Sequence, residues 1–142
     1  MTATRELTEP TGDSVRDVVV RFGSDDQLVG IVSQPPRAAA TAITILNAGV
    51  LHRIGPHRLH VVLARRFAEC GFTALRLDLG GIGDSVASSN APTFRESAVN
   101  DTRLALSGLS ERRHVLFGVC AGADNALATA LVDDRVGGIV LV

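Results

Sequence analysis

Apolar residues fall into short blocks along the chain, and the spacing within the blocks changes from one to the next. Val15 to Phe22 and Leu28 to Gln34 read as strands, with Asp25 and Asp26 between them as turn residues, which predicts an antiparallel hairpin. Thr41 to Asn47 is a continuous apolar run of the kind buried on both faces of a sheet. A helix is expected from about His57, where Leu59, Leu63, Phe67 and Cys70 recur at helical spacing and Gly71 stands where a left-handed cap belongs. Phe72 to Leu79 is a second buried strand. Thr93 and Glu96 then stand in capping-box spacing at the start of another helix. Arg113 to Val119 reads as a third buried strand, Ala121 to Asp134 as a helix, and Val136 to Val142 as a fourth buried strand.

Buried strands alternating with helices predict an α/β fold with a mostly parallel, doubly wound sheet behind the N-terminal hairpin. Residues 1–14 are expected to form a flexible tail and residues 15–142 one continuous domain, without internal repeat.

Composition narrows the chemistry. Formal net charge is −1, so nothing points to a nucleic-acid surface. All 14 basic residues are arginine; without lysine, Schiff-base chemistry and Walker-type phosphate loops are excluded. Two cysteines are too few for a disulfide framework and fit a reducing compartment. The polar start, "MTATRELTEPTGD", has no apolar signal region, and no apolar run is long enough to span a bilayer. A cytoplasmic location, with neither metal nor cofactor, is the expectation.

Within the third buried strand and the helix after it lies Gly118-Val119-Cys120-Ala121-Gly122. A G-x-C-x-G stretch at a strand-to-helix junction has the context of a nucleophile elbow, with cysteine in the place of serine. A sharp turn would lift Cys120 above the sheet, and a Cβ at Gly118 or Gly122 would collide with the neighbouring chain. Free amides at a helix start also stabilise negative charge on sulfur. The Ala121 amide is one candidate oxyanion donor. The other is expected from the loop after Asn47, at Val50 or Gly49.

Two further stretches share a family likeness with this elbow. Asn47-Ala48-Gly49 occupies the place of the oxyanion-loop motif of α/β-hydrolases, and Asp78-Leu79-Gly80-Gly81-Ile82-Gly83-Asp84-Ser85 resembles the D-x-R-G-x-G-x-S signature of their serine aminopeptidase-like branch. The run from His52 to Ser85 is similar to the hydrolases associated with exosortase A systems, which also carry cysteine at the elbow. The resemblance covers residues 15 to 142 and implies strands one to six of the usual eight. It further implies acyl transfer from an ester or thioester substrate, with Cys120 as nucleophile. Gly80 departs from it, standing where the signature has arginine.

In that family the triad acid and histidine follow the seventh and eighth strands, beyond what these residues supply. Three readings stay open. A C-terminal half or a second polypeptide completes the sheet and brings both residues. Alternatively, a local base from the loop after Asn47, His52 or His57, serves Cys120 as a dyad, with His60 farther along. In the third reading the chain is a non-catalytic binding or interaction module on an inherited fold, its apolar last strand an exposed edge.

Other constellations carry plainer readings. His57 and His60 lack a carboxylate at metal-ligand spacing. Asp78 suits a cap on the glycine loop, Asp124 suits the first turn of its helix, and Arg53 and Arg58 suit solvated surface. "GGIGDS" fails as a dinucleotide loop because the third glycine is absent and a polar loop intervenes before the next helix.

Overall fold

The computed structural model describes residues 14–90 and 93–142; the N-terminal tail expected from the sequence lies almost wholly outside the described residues. Among the described residues six strands and three α-helices follow in chain order: β1 (Arg16–Phe22), β2 (Leu28–Gln34), β3 (Thr41–Ile45), α1 (Leu59–Glu69), β4 (Thr73–Leu77), α2 (Phe94–Ser107), β5 (Arg113–Gly118), α3 (Ala121–Ala130) and β6 (Val136–Leu141). They form one sheet of order β1-β2-β4-β3-β5-β6. β1 and β2 pair antiparallel through the expected hairpin, with Asp26 at φ 54° in the turn. β2 meets β4 antiparallel, and β4, β3, β5 and β6 run parallel. The α/β architecture read from the blocks of apolar residues is the one observed.

Alternation within the strands sorts the core onto two faces. Ala42, Leu75, Leu77 and Leu116 pack with Ala98, Ala105 and Leu106 of α2 and Ala126 of α3. Ile43, Ile45, Ala74 and Phe117 point the other way, onto α1. Each fully buried leucine contributes about 2 kcal/mol relative to exposure, so the central strands fix the register firmly.

Three local departures from the sequence reading have physical causes. α1 begins at Leu59 rather than His57, because His57 and Arg58 adopt φ 48° and 62°, outside the right-handed helix. Its buried face is His60, Val61, Ala64 and Ala68 rather than the Leu59–Cys70 stripe. Two alanines let the helix sit close on the sheet, and Leu63 and Phe67 fill its flank, Phe67 meeting Phe117 edge-on at 6.5 Å. β3 stops at Ile45, although the Leu46 amide still donates to the Phe117 carbonyl at 3.0 Å, because Asn47 turns its side chain to the neighbouring strand's loop.

The predicted caps form. Gly71 ends α1 at φ 91°, and the Thr93 hydroxyl accepts the Glu96 amide at 3.2 Å while donating to the Glu96 carboxylate at 2.8 Å. Among the described residues no helix is long and apolar enough to cross a membrane.

Candidate active site

All four parallel strands point their C-terminal ends the same way, so the loops after β3, β4 and β5 gather at one edge of the sheet. Cys120 stands there, exposed, between β5 and α3. Its backbone sits at φ 54° and ψ −122°, a combination that costs an ordinary residue on the order of 1–3 kcal/mol.

Three neighbours hold that geometry. The Cys120 amide donates to the Val142 carbonyl at 2.9 Å and the Val142 amide to the Gly118 carbonyl at 3.0 Å, so the β5–β6 ladder runs on past the turn. A Cβ on Gly118 would lie 2.2 Å from the Gly122 backbone, and one on Gly122 would lie 2.7 Å from the Asn47 carbonyl oxygen. The first turn of α3 therefore packs bare backbone against both β5 and the end of β3. Both elbow glycines singled out in the sequence are required by contact, beyond any need for flexibility.

The loop after β3 reaches the same edge. Ile45 pairs with Phe117, which sets Asn47 and Ala48 beside the elbow. Ala48 to Leu51 close a turn, the Leu51 amide donating to the Ala48 carbonyl at 3.2 Å, with Gly49 at φ 60°. Val50 is 87% exposed, and no acceptor among the described residues takes the Gly49 or Val50 amide. His52 and His57 lie exposed farther along this loop. His60 is turned fully inside, its ring packed under Gly55, and both its nitrogens lack a partner among the described residues. Burial, and secondarily the Arg76 charge, push its pKa down. It is packing rather than a base facing the elbow.

The signature loop after β4 is built around Asp78, which is completely buried. Its carboxylate accepts from the Arg53 amide at 2.6 Å, the Asn47 side-chain amide at 3.2 Å, the Asp84 amide at 3.3 Å and the Arg53 guanidinium. The expected capping of the glycine loop is present in the Asp84 contact, and Gly83 has no room for a Cβ beside the same carboxylate. Ser85 accepts the Val29 amide at 2.8 Å and donates to the Asp78 carbonyl at 2.7 Å, which pins the loop to β2. Gly80 donates its amide to Asp101 at 2.8 Å, and a Cβ there would stand 2.9 Å from that carboxylate. Burial raises the Asp101 pKa, against the opposing bonds from Gly80 and Ser97.

Arg53 is a correction. It is no solvated surface residue: its side chain is 19% exposed and bridges Asp78 to Asp84, the latter at 2.7 Å. Burial alone would lower its pKa, but the bonds and charges of the two carboxylates raise it, so the guanidinium stays charged. Asn47 is the residue the sequence reading undervalued. It donates to the Leu51 carbonyl at 2.9 Å and accepts the Leu79 amide at 2.8 Å. An asparagine closing an apolar strand was the available signal.

Known structures share this architecture. No family model matches the sequence, and no curated protein matches it. Among solved structures, the chain is similar to hypothetical protein PA2218 from Pseudomonas aeruginosa, with a TM-score of 0.73, 23% identity, and coverage of 99% of this chain and 46% of that one. It is also similar to the α/β hydrolase GrgF from Penicillium sp. sh18, with a TM-score of 0.68, 24% identity, and coverage of 89% and 45%. The fold is that of the α/β-hydrolases. An epoxide hydrolase from an endophytic Streptomyces aligns with a TM-score of 0.64 and 15% identity over 92% of this chain and 37% of that one. The chain thus spans less than half the length of these hydrolase-fold relatives.

Proposed function

We propose that the chain is the nucleophile-bearing part of a hydrolytic or acyl-transfer enzyme that works through Cys120 on an ester or thioester. The observation that carries this is the elbow itself: an exposed thiol on a strained residue, φ 54° and ψ −122°, at the first turn of a helix and at the loop-bearing edge of the sheet. A purely structural cysteine has no need of that conformation. The hydrolase fold supports the class of reaction.

In the proposed chemistry the Cys120 thiolate attacks the acyl carbon, and the carbonyl π electrons move to oxygen. The Ala121 amide and that of Gly49 or Val50 receive the oxyanion. Collapse expels the alcohol or thiol, which leaves with the bonding pair and takes a proton, and a thioester remains on Cys120. Water then attacks the thioester, the carbon–sulfur bond breaks, and carboxylic acid and thiol are released. An amine or alcohol in place of water would give amide or ester instead.

The histidine that takes the thiol proton and its acid partner come, in this reading, from a C-terminal half or second polypeptide completing the sheet beyond β6. The relatives have chains about twice as long, with room for those strands. A native mass spectrum would reveal such a partner.

Cys70, also exposed, supplies an internal control for reactivity. With an activated phenyl ester, Cys120 should gain the acyl group at least about tenfold faster than Cys70, located by peptide mass spectrometry, since in this reading oxyanion donors serve Cys120 alone. Equal, slow labelling of both would favour the non-catalytic binding module.

A further inference from the structure

Asp78 is fully buried, yet no reacting group touches it; its four donors all belong to the loops that follow β3 and β4. Two of those donors come from Arg53, its main-chain amide and its guanidinium, and the same guanidinium continues to Asp84. Asn47 joins the same carboxylate from just beyond β3 and holds the Leu51 carbonyl with the same side-chain amide. The segment between those two attachments, Ala48 to Leu51, contains the free amides of Gly49 and Val50. Its two ends are therefore fixed by one buried anion, while its middle makes no hydrogen bond through those amides among the described residues. Gly80 contributes nothing to this, since Asp101 occupies the space a side chain there would need.

We infer that Arg53 is a positioning residue, which clasps Asp78 and Asp84 to set the Ala48–Leu51 turn so that its free amides face the acyl oxygen at Cys120. The inference rests on the acyl-transfer reading and adds to it the residue that shapes the oxyanion loop. A fixed pair of amide donors stabilises an oxyanion only if they are held in place before charge develops. A turn anchored at Asn47 alone would swing about that anchor. The second anchor at residue 53 removes that freedom, and its guanidinium adds charge-assisted bonds to two carboxylates on the neighbouring loop.

The test separates two reactions of one sulfur. Acylation by a phenyl ester passes through an oxyanion, whereas alkylation by iodoacetamide does not. Both rates would be measured on Cys120 by peptide mass spectrometry, at about pH 9, above the ordinary thiol value of about 8.5, where a thiol needs no base. Arg53→Ala should slow acylation about 10- to 100-fold, toward the loss that follows removal of one oxyanion donor, and leave alkylation within about twofold. Arg53→Lys, which returns a charge near both carboxylates, should recover part of the rate. Arg53→Gln gives the same readout should the alanine variant fail to fold, with the thermal midpoint recorded for each.

Unchanged acylation in the variants overturns the inference, and so does an equal fall in both rates, which would mark a general structural role. Failure of the underlying reading shows in the unsubstituted chain: if Cys120 is acylated no faster than Cys70 there, the nucleophile assignment falls and the positioning role falls with it.

Discussion

Both cysteines are exposed, and each stands at one end of a helix within two residues of a glycine, yet the two surroundings have little in common. Cys70 closes α1 at φ −82° and ψ 2°, ordinary backbone, and Gly71 after it would bring a Cβ no closer than 3.7 Å to the Arg37 carbonyl. Cys120 opens α3 at φ 54° and ψ −122°, and the glycines two residues to either side touch backbone that a Cβ would overlap. Both are accessible; only Cys120 has an imposed geometry. A helix C-cap is a local event that any neighbouring structure tolerates. The elbow exists only because β6, β3 and α3 close on it together.

The sharpest way to break the contrast is at the glycines. Gly118→Ala places a methyl 2.2 Å from the Gly122 backbone, with nothing flexible to yield. A loss above about 4 kcal/mol is expected, enough to abolish cooperative unfolding in a urea titration. Gly71→Ala meets no such wall, and only its φ of 91° opposes the change. It should cost about 1–2 kcal/mol, read from the shift in the same titration.

The same substitution at the two cysteines should have opposite signs. Cys120→Gly removes backbone strain worth on the order of 1–3 kcal/mol, less glycine's extra chain entropy, for a net gain of about 1 kcal/mol. It would also end acylation. Cys70→Gly relieves nothing and should cost about 0.5–1 kcal/mol. Equal signs in denaturation midpoints would show that the elbow is relaxed rather than strained.

Acid should produce the smallest distinction. Fully buried His114 lies on β5, the strand leading to Cys120, and fully buried His60 on α1, the helix leading to Cys70. Burial depresses both pKa values; Arg135 adds to this at His114, against Glu111 and Asp133, and Arg76 adds to it at His60. A depressed histidine binds its proton more readily in the unfolded chain. Stability is therefore complete above about pH 6.5 and declines as pH falls from there through the folded values. Thermal midpoints between pH 7 and 5 should fall, and His114→Leu should flatten part of that slope without altering the Cys120-to-Cys70 reactivity ratio at pH 7.

The elements were largely legible because each carries a local signal. Continuous apolar runs marked β3, β4 and β5, while the Thr93–Glu96 box and Gly71 marked helix ends, and these signals rest on interactions within a few residues. The elbow was legible for the same reason, as glycine spacing across a strand-to-helix junction. The start of α1 was less so: Pro56 suits a first helical turn, but His57 and Arg58 take left-handed conformations over the buried His60 that no local preference of theirs indicates. The joining of Asn47 and Arg53 to Asp78 was hidden. An arginine at position 53 reads as surface unless one knows that a buried carboxylate 25 residues away lies beside it.

Sequence alone thus determined the alternation of strands and helices, the hairpin, the two faces of the sheet and the site of the turn bearing Cys120, since all follow from periodicity and from which residues tolerate unusual backbone. The tertiary structure decided the order in which strands pair, the close packing that makes Gly118 and Gly122 obligatory, and the clasp of Arg53 on Asp78 and Asp84. Those depend on groups far apart in the chain arriving at one edge of one sheet, and the cost of burying a charge without a partner is what binds them there.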